Sequence, residues 1–284
     1  MVTRTKIKLD PLRIGGHEIG RVLITGASAG IGAELAREFA KHGHRLTLVA
    51  RRREMLQQLA AELEKEHHVD VRLIVQDLAK PTGPAAVVKA AQADGEAVGI
   101  LVNNAGVIDV GPFAASHTDT LVNLVNLNVR ALTELTSLLL PGMVERGFGR
   151  ILNVASLAAF QPVPSMAAYA ASKAYVLALT EALSEELKGS GVTVTALCPG
   201  ITDTDMASEI QAGSATAAKL PKQLVSDPAD VAAEGYKALM AGRVVLVPGL
   251  PNQLTAAWSQ VTPRWLTRYV TGLAMRRTDL LQKP

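Results

Sequence analysis

Residues 21 to 32 read Arg-Val-Leu-Ile-Thr-Gly-Ala-Ser-Ala-Gly-Ile-Gly. The first five form a short apolar run typical of a strand, glycines follow at once, and apolar residues then recur at helical spacing through Lys41. A strand that turns directly into a helix leaves the first helical N–H groups free at the turn, and glycine lets backbone come close to a ligand there. Gly26, Ser28, Ala29, Gly30, Ile31 and Gly32 are therefore candidates for cradling a phosphate or pyrophosphate. The plain alternative is glycine used for the turn alone.

The alternation continues down the chain. Strand-like runs at 46–50, 71–75, 100–103, 150–155, 192–197 and 244–247 are separated by helical patterns at about 53–67, 83–93, 118–146, 167–189 and 228–241. Such alternation implies βαβ units, and nearly continuous apolar strands suit a parallel sheet buried on both faces. The expected fold is an α/β single domain, a doubly wound parallel sheet of about seven strands with helices on both faces. Residues 1–20 form an N-terminal arm, 21–248 the sheet domain, and 249–284 a C-terminal helical extension. Residues 200–226, rich in Ala, Thr and Ser, follow a strand's carboxyl end and are a candidate lid.

With 284 residues, 48% hydrophobic and 19% charged, the chain can bury one large core. No apolar run reaches the ~18 residues of a spanning helix, and the first twenty residues lack the apolar centre of a signal peptide. The single cysteine, Cys198, has no disulfide or thiolate-metal partner, so the expectation is a buried side chain and a cytoplasmic protein without a metal. The net charge of +3 belongs to the ends: residues 1–20 carry +2 and residues 251–284 carry +4. A nucleic-acid-binding core is not expected from that distribution.

The second strand ends Val49-Ala50-Arg51-Arg52-Arg53. An acid at this edge would bond a ribose 2′-hydroxyl; an arginine suits a 2′-phosphate instead. Arg51, with Ser28 beside it, thus points to NADP, and Arg52 can share or take that role. A solvated basic start to a helix is the alternative. Asp77 and Asn103-Asn104-Ala105-Gly106 close the third and fourth strands at the same carboxyl edge.

Tyr169 and Lys173 lie four residues apart in an alanine-rich helix and share a face. An ammonium near a phenol favours the phenolate, so Lys173 is expected to lower the tyrosine pKa from its usual ~10. Ser156 ends the preceding strand at the ligand-binding edge, where its hydroxyl can bond a carbonyl oxygen while Tyr169 gives it a proton.

Taken in order, Thr25 to Gly32, Asn103 to Gly106, Asn128 in Leu-Asn-Val-Arg-Ala, Ser156, Tyr169 with Lys173, and Pro199-Gly200 followed by Thr204 resemble the short-chain dehydrogenase/reductase family. The resemblance covers about residues 20–248 and implies a Rossmann fold and an oxidoreductase. It further implies that Tyr169 is the acid/base, Lys173 bonds the nicotinamide ribose and lowers the tyrosine pKa, Ser156 orients the carbonyl, and Asn128 holds a water linking Lys173 to solvent. Pro199, Gly200 and Thr204 would border the nicotinamide, and Asp77 with Asn104, Ala105 and Gly106 the adenine and its ribose. Tyr175 is outside this set and is expected to pack. Many members of the family are homodimers or homotetramers.

Leu157, Phe160 and Met166, with Met206 and Ile210 from the lid, would line an apolar pocket, so the expected substrate is a small hydrophobic ketone, aldehyde or secondary alcohol. A 3-oxoacyl thioester reductase is the near alternative, and a catalytically silent NADP-sensing module the alternative from another class. Residues 258–281 read as one amphipathic helix covering the pocket or an oligomer interface, with peripheral membrane contact as a third option.

Overall fold

The computed structural model describes residues 13–14, 17–204 and 225–276. Seven strands, Arg21–Thr25 (β1), Leu46–Ala50 (β2), Val71–Val75 (β3), Val98–Asn103 (β4), Gly149–Val154 (β5), Val192–Leu197 (β6) and Val245–Leu246 (β7), form one sheet. Their order is β3-β2-β1-β4-β5-β6-β7, and every pairing is parallel. The order reverses between β1 and β4, so the crossovers diverge there and leave a crevice at the carboxyl ends.

Helices cover both faces, and the strand residues divide between them with period two. Val22, Ile24, Leu46 and Leu48 face a layer with Leu35 and Phe39 of α1 (Gly30–Lys41), Leu56 and Leu63 of α2 (Arg53–His67), and Leu239 of α7 (Pro228–Met240). Leu23, Val49, Leu101 and Ile151 face the opposite layer, with Val87 of α3 (Gly83–Ala91) and Leu135, Leu139 and Met143 of α5 (Leu132–Glu145). Between α3 and α5 lies α4 (Thr118–Val125), and α6 (Ala167–Glu186) follows β5. At the amino end of β1 the fully buried Arg21 pairs with Asp70 and, at 2.6 Å, with Glu96, and donates to the Leu46 carbonyl at 2.8 Å. That arrangement compensates the charge and ties the starts of β1, β2, β3 and β4 together.

Three segments differ from the sequence expectations. A π turn over Asn126–Ala131 divides the helix expected at 118–146. In the N-terminal arm, Arg13–Ile14 and His17–Glu18 form a short antiparallel pair. The helix expected from 258 is two helices, α8 (Leu250–Val261) and α9 (Arg264–Arg276). The break has a local cause: Pro263 has no N–H to continue the ladder, and Thr262 before it is extended, with φ −86° and ψ 134°. Of the expected lid, residues 200–204 and 225–226 are described, with Thr202 bridged to Ser226; Met206 and Ile210 lie outside the described residues.

Candidate active site

The glycine loop sits at the end of β1. Gly26 adopts φ +66°, and a Cβ there would stand 2.8 Å from the Ala105 Cα. A side chain on Gly32 would strike the Asn104 amide and the Gly26 carbonyl. Glycine is therefore required by close approach as well as by dihedral. Asn104 holds the loop in that position: its Nδ2 donates to the Thr25 carbonyl at 2.9 Å and the Gly26 carbonyl at 3.2 Å. Ala29 begins α1 without a capping side chain, so the helix N-terminus presents its N–H groups to the cleft. Gly32 itself packs behind the loop, while Gly26, Ser28, Ala29, Gly30 and Ile31 border the cleft.

At the near end of that cleft stand Arg51, Arg52 and Asp77. Arg52 Nε and Nη2 donate to Ser28 Oγ at 3.2 and 3.1 Å. Arg51 is the arginine expected beside Ser28, and it is Arg52 that bonds the serine. Both arginines line the cleft, so an anion beside Ser28 would meet two cationic side chains. Asp77 Oδ1 accepts from the Ala79 N–H at 3.0 Å and borders the same space. The donors, the glycine cradle and the open helix end fit a phosphorylated dinucleotide such as NADP.

At the far end, Ser156, Tyr169 and Lys173 come together from β5 and α6. Ser156 is extended, and its Oγ accepts from the Ala158 N–H at 3.1 Å, capping the short 3-10 turn Leu157–Phe160. Burial raises the Tyr169 pKa, and a hydrogen bond with Ser156 acts in the opposite direction. Burial also pushes Lys173 down to about 8. Its Nζ donates to the Val154 carbonyl at 2.7 Å and lies 5.7 Å from the centre of the Tyr169 ring. The Tyr169 shift runs opposite to the lowering expected from Lys173: loss of solvent sets its direction, and the bond with Ser156 is what acts against it.

Asn128 sits in the π turn behind these residues, 2% exposed. Its Oδ1 accepts from the Val107 N–H at 2.9 Å, and its Nδ2 donates to the Val107 carbonyl at 2.9 Å and to Ser172 Oγ at 3.1 Å. The side chain thus clamps the loop after Gly106 to α6. Ser172 was not singled out in the sequence; its one signal is its place beside Lys173. A Cβ on Gly106 would be 3.2 Å from Asn128 Oδ1 and 3.5 Å from Lys173 Nζ, so the loop passes directly over both.

Pro199, Gly200 and Thr204 close the cleft opposite. The Leu157 N–H donates to the Pro199 carbonyl at 2.8 Å, joining the loops after β5 and β6. Cys198 beside them is buried, with its thiol pushed up to about 12 by burial, as packing requires. Leu157 and Met166 line the cleft as expected, together with Gln161, Val163 and Ile108. Phe160 does not: it packs against the buried cluster that includes Leu132, Val176 and Leu177. Tyr175 is outside the cleft, bonded to Thr133 Oγ1 at 2.8 Å. Two contacts bring the C-terminal extension to this site: Ser259 Oγ donates to Gln161 Oε1 at 3.1 Å, and Asn252 lies against Gly200. The whole cleft has a volume of about 580 Å³.

Comparison with known proteins agrees with this geometry. Residues 20–215 match the short chain dehydrogenase family. A very-long-chain 3-oxoacyl-CoA reductase of Anas platyrhynchos is 33% identical over 216 residues, 70% of this chain and 68% of that protein. Among solved structures, a short-chain dehydrogenase from Sphingobium yanoikuyae in complex with NADPH is 35% identical with a TM-score of 0.74, covering 89% of this chain and 94% of that one. A bulky-bulky ketone specific alcohol dehydrogenase from Comamonas testosteroni is 32% identical with a TM-score of 0.72, covering 85% and 93%. A 3-ketoacyl-(acyl-carrier-protein) reductase from Brucella melitensis complexed with NADH is 29% identical with a TM-score of 0.70, covering 80% and 95%. The chain belongs to the short-chain dehydrogenase family and is an oxidoreductase.

Proposed function

We propose that this short-chain dehydrogenase interconverts a hydrophobic ketone or aldehyde and the corresponding alcohol with NADP(H). The observation that carries the reading is one continuous cleft with Arg51, Arg52 and Ser28 at one end and Ser156, Tyr169 and Lys173 at the other. When bound, the nicotinamide supplies or accepts the hydride.

The chain's own residues do the rest. The N-terminus of α1 and the glycine loop hold the pyrophosphate, while Arg51 and Arg52 hold the 2′-phosphate by charge-assisted hydrogen bonds. Asp77 and the backbone from Asn104 to Gly106 border the adenosine. Ser156 Oγ donates to the carbonyl oxygen and fixes its position. Tyr169 Oη gives that oxygen its proton during reduction and takes it back during oxidation. Burial keeps the phenol protonated in the resting protein, the form that reduction requires. Lys173 bonds the ribose beside the nicotinamide, and Asn128 acts as a positioning residue through its hold on Val107 and Ser172.

The apolar walls around Leu157, Val163, Met166 and Ile108 favour a substrate with hydrophobic groups flanking the carbonyl. Reduction of a 3-oxoacyl thioester is the second reading, supported by likeness to the Anas platyrhynchos reductase. A panel containing free hydrophobic ketones and 3-oxoacyl thioesters separates the two by kcat/KM. A protein that binds NADPH and turns over neither class would fit the sensor alternative.

A further inference from the structure

The outer faces of α8 and α9 are unlike the rest of the described surface. Leu250, Leu254, Trp258 and Val261 follow one another on α8 at spacings of four, four and three, and Trp265, Tyr269 and Leu273 follow on α9 at four and four. Each spacing keeps the residues on one helix face. All seven are exposed, from 39% at Trp258 to 82% at Val261. Arg264 and Arg268 border the α9 stripe at the same spacing, and Arg276 stands within its exposed arc. No aspartate or glutamate occurs between Glu234 and Asp279.

We propose that α8 and α9 form a docking face for the surface of a bilayer containing anionic lipid. Aromatic and aliphatic side chains interleaved with arginine, on helices lying outside the core, match an interfacial helix: the apolar groups enter the acyl boundary and the guanidinium groups meet lipid phosphates. Trp and Tyr are suited to that boundary because each couples an apolar ring to a polar tip. Among the described residues no helix is long and apolar enough to cross a membrane, so the contact is with one leaflet. Charge complementarity favours lipid over a second copy of the chain: a two-fold contact through α9 would set arginine against arginine with no acid to compensate. The opposite faces of the helices are committed inward, with Ala256, Ser259 and Thr267 buried.

The protein carries its own reporter, because its two tryptophans are Trp258 and Trp265. The full chain is titrated with vesicles of phosphatidylcholine mixed with phosphatidylglycerol and with vesicles of phosphatidylcholine alone, following tryptophan emission and cosedimentation. The mixed vesicles should shift the emission to the blue and carry the protein down, with both effects weakened by salt; neutral vesicles should do so much less. Replacing Arg264, Arg268 and Arg276 by glutamine should weaken partitioning about fivefold per residue. The doubly substituted Trp265→Ser, Tyr269→Ser protein should lose binding while keeping its melting temperature. Absence of cosedimentation with anionic vesicles overturns the proposal. So does blue emission that, without vesicles, appears with rising protein concentration as a dimer forms, which assigns the face to a second copy. Tryptophans already shielded from an aqueous quencher in dilute, vesicle-free protein also overturn it, because the chain itself then covers the face.

Discussion

Lys173 and Tyr169 stand one helical turn apart, yet the Lys173 ammonium is bonded to the Val154 carbonyl at 2.7 Å and faces the tyrosine ring, 5.7 Å from its centre. The pair therefore does not begin as a phenolate beside an ammonium. Burial works on both in the same sense, favouring neutral tyrosine and, above about pH 8, neutral lysine.

A protonated phenol next to Ser156 predicts that Tyr169→Phe, which removes one oxygen, cuts carbonyl reduction by roughly a hundred- to ten-thousandfold. Titration with NADPH should give nearly the wild-type affinity. A variant that keeps normal turnover would remove Tyr169 from the chemistry.

The Arg52–Ser28 contact predicts a shared phosphate site. Arg52→Ala should weaken NADPH binding by about tenfold and leave NADH binding nearly unchanged, with Arg51→Ala acting in the same direction. Equal losses for both nucleotides would mean that the arginines support the loop without reading the phosphate.

Gly26 predicts a coupled loss. Alanine there must hold φ +66° and displace Ala105, at a cost of about 1–3 kcal/mol. Thermal unfolding should begin at lower temperature, and NADPH affinity should fall with it because the loop forms the cradle.

Acid stability is predicted by a residue far from the cleft. Burial and the neighbouring His42 hold His44 down to about 4, and its Nε2 is 3.0 Å from the Tyr236 hydroxyl. The folded protein keeps this ring neutral while the unfolded chain takes a proton below about pH 6.5. Its contribution is thus present above pH 6.5 and lost as pH falls toward 4, about 3 kcal/mol in all. Denaturant titrations should show a steeper acid loss in wild type than in His44→Gln.

The fold was legible because each buried strand is an apolar run and each helix keeps its period; all seven sheet strands lie where the sequence places them. The catalytic cluster was legible because helical spacing fixes Tyr169 against Lys173 and a strand end fixes Ser156. Phe160 was misplaced because a short turn has no period long enough to show which way it points. The π turn at Asn128 leaves the apolar pattern intact and so leaves no trace in it. Pro263 did carry the signal for the α8–α9 break. The direction of the Tyr169 shift depends on burial, which neighbouring residues in sequence do not report.

The proposed reaction requires both ends of the cleft to act together. NADPH and NADH binding should be titrated in parallel, followed by NADPH oxidation with hydrophobic ketones and 3-oxoacyl thioesters. NADPH should bind more tightly than NADH, and at least one class should be turned over. Equal binding of the two nucleotides would contradict the role of Arg51 and Arg52, and tight binding without turnover across both classes would contradict the proposed reduction.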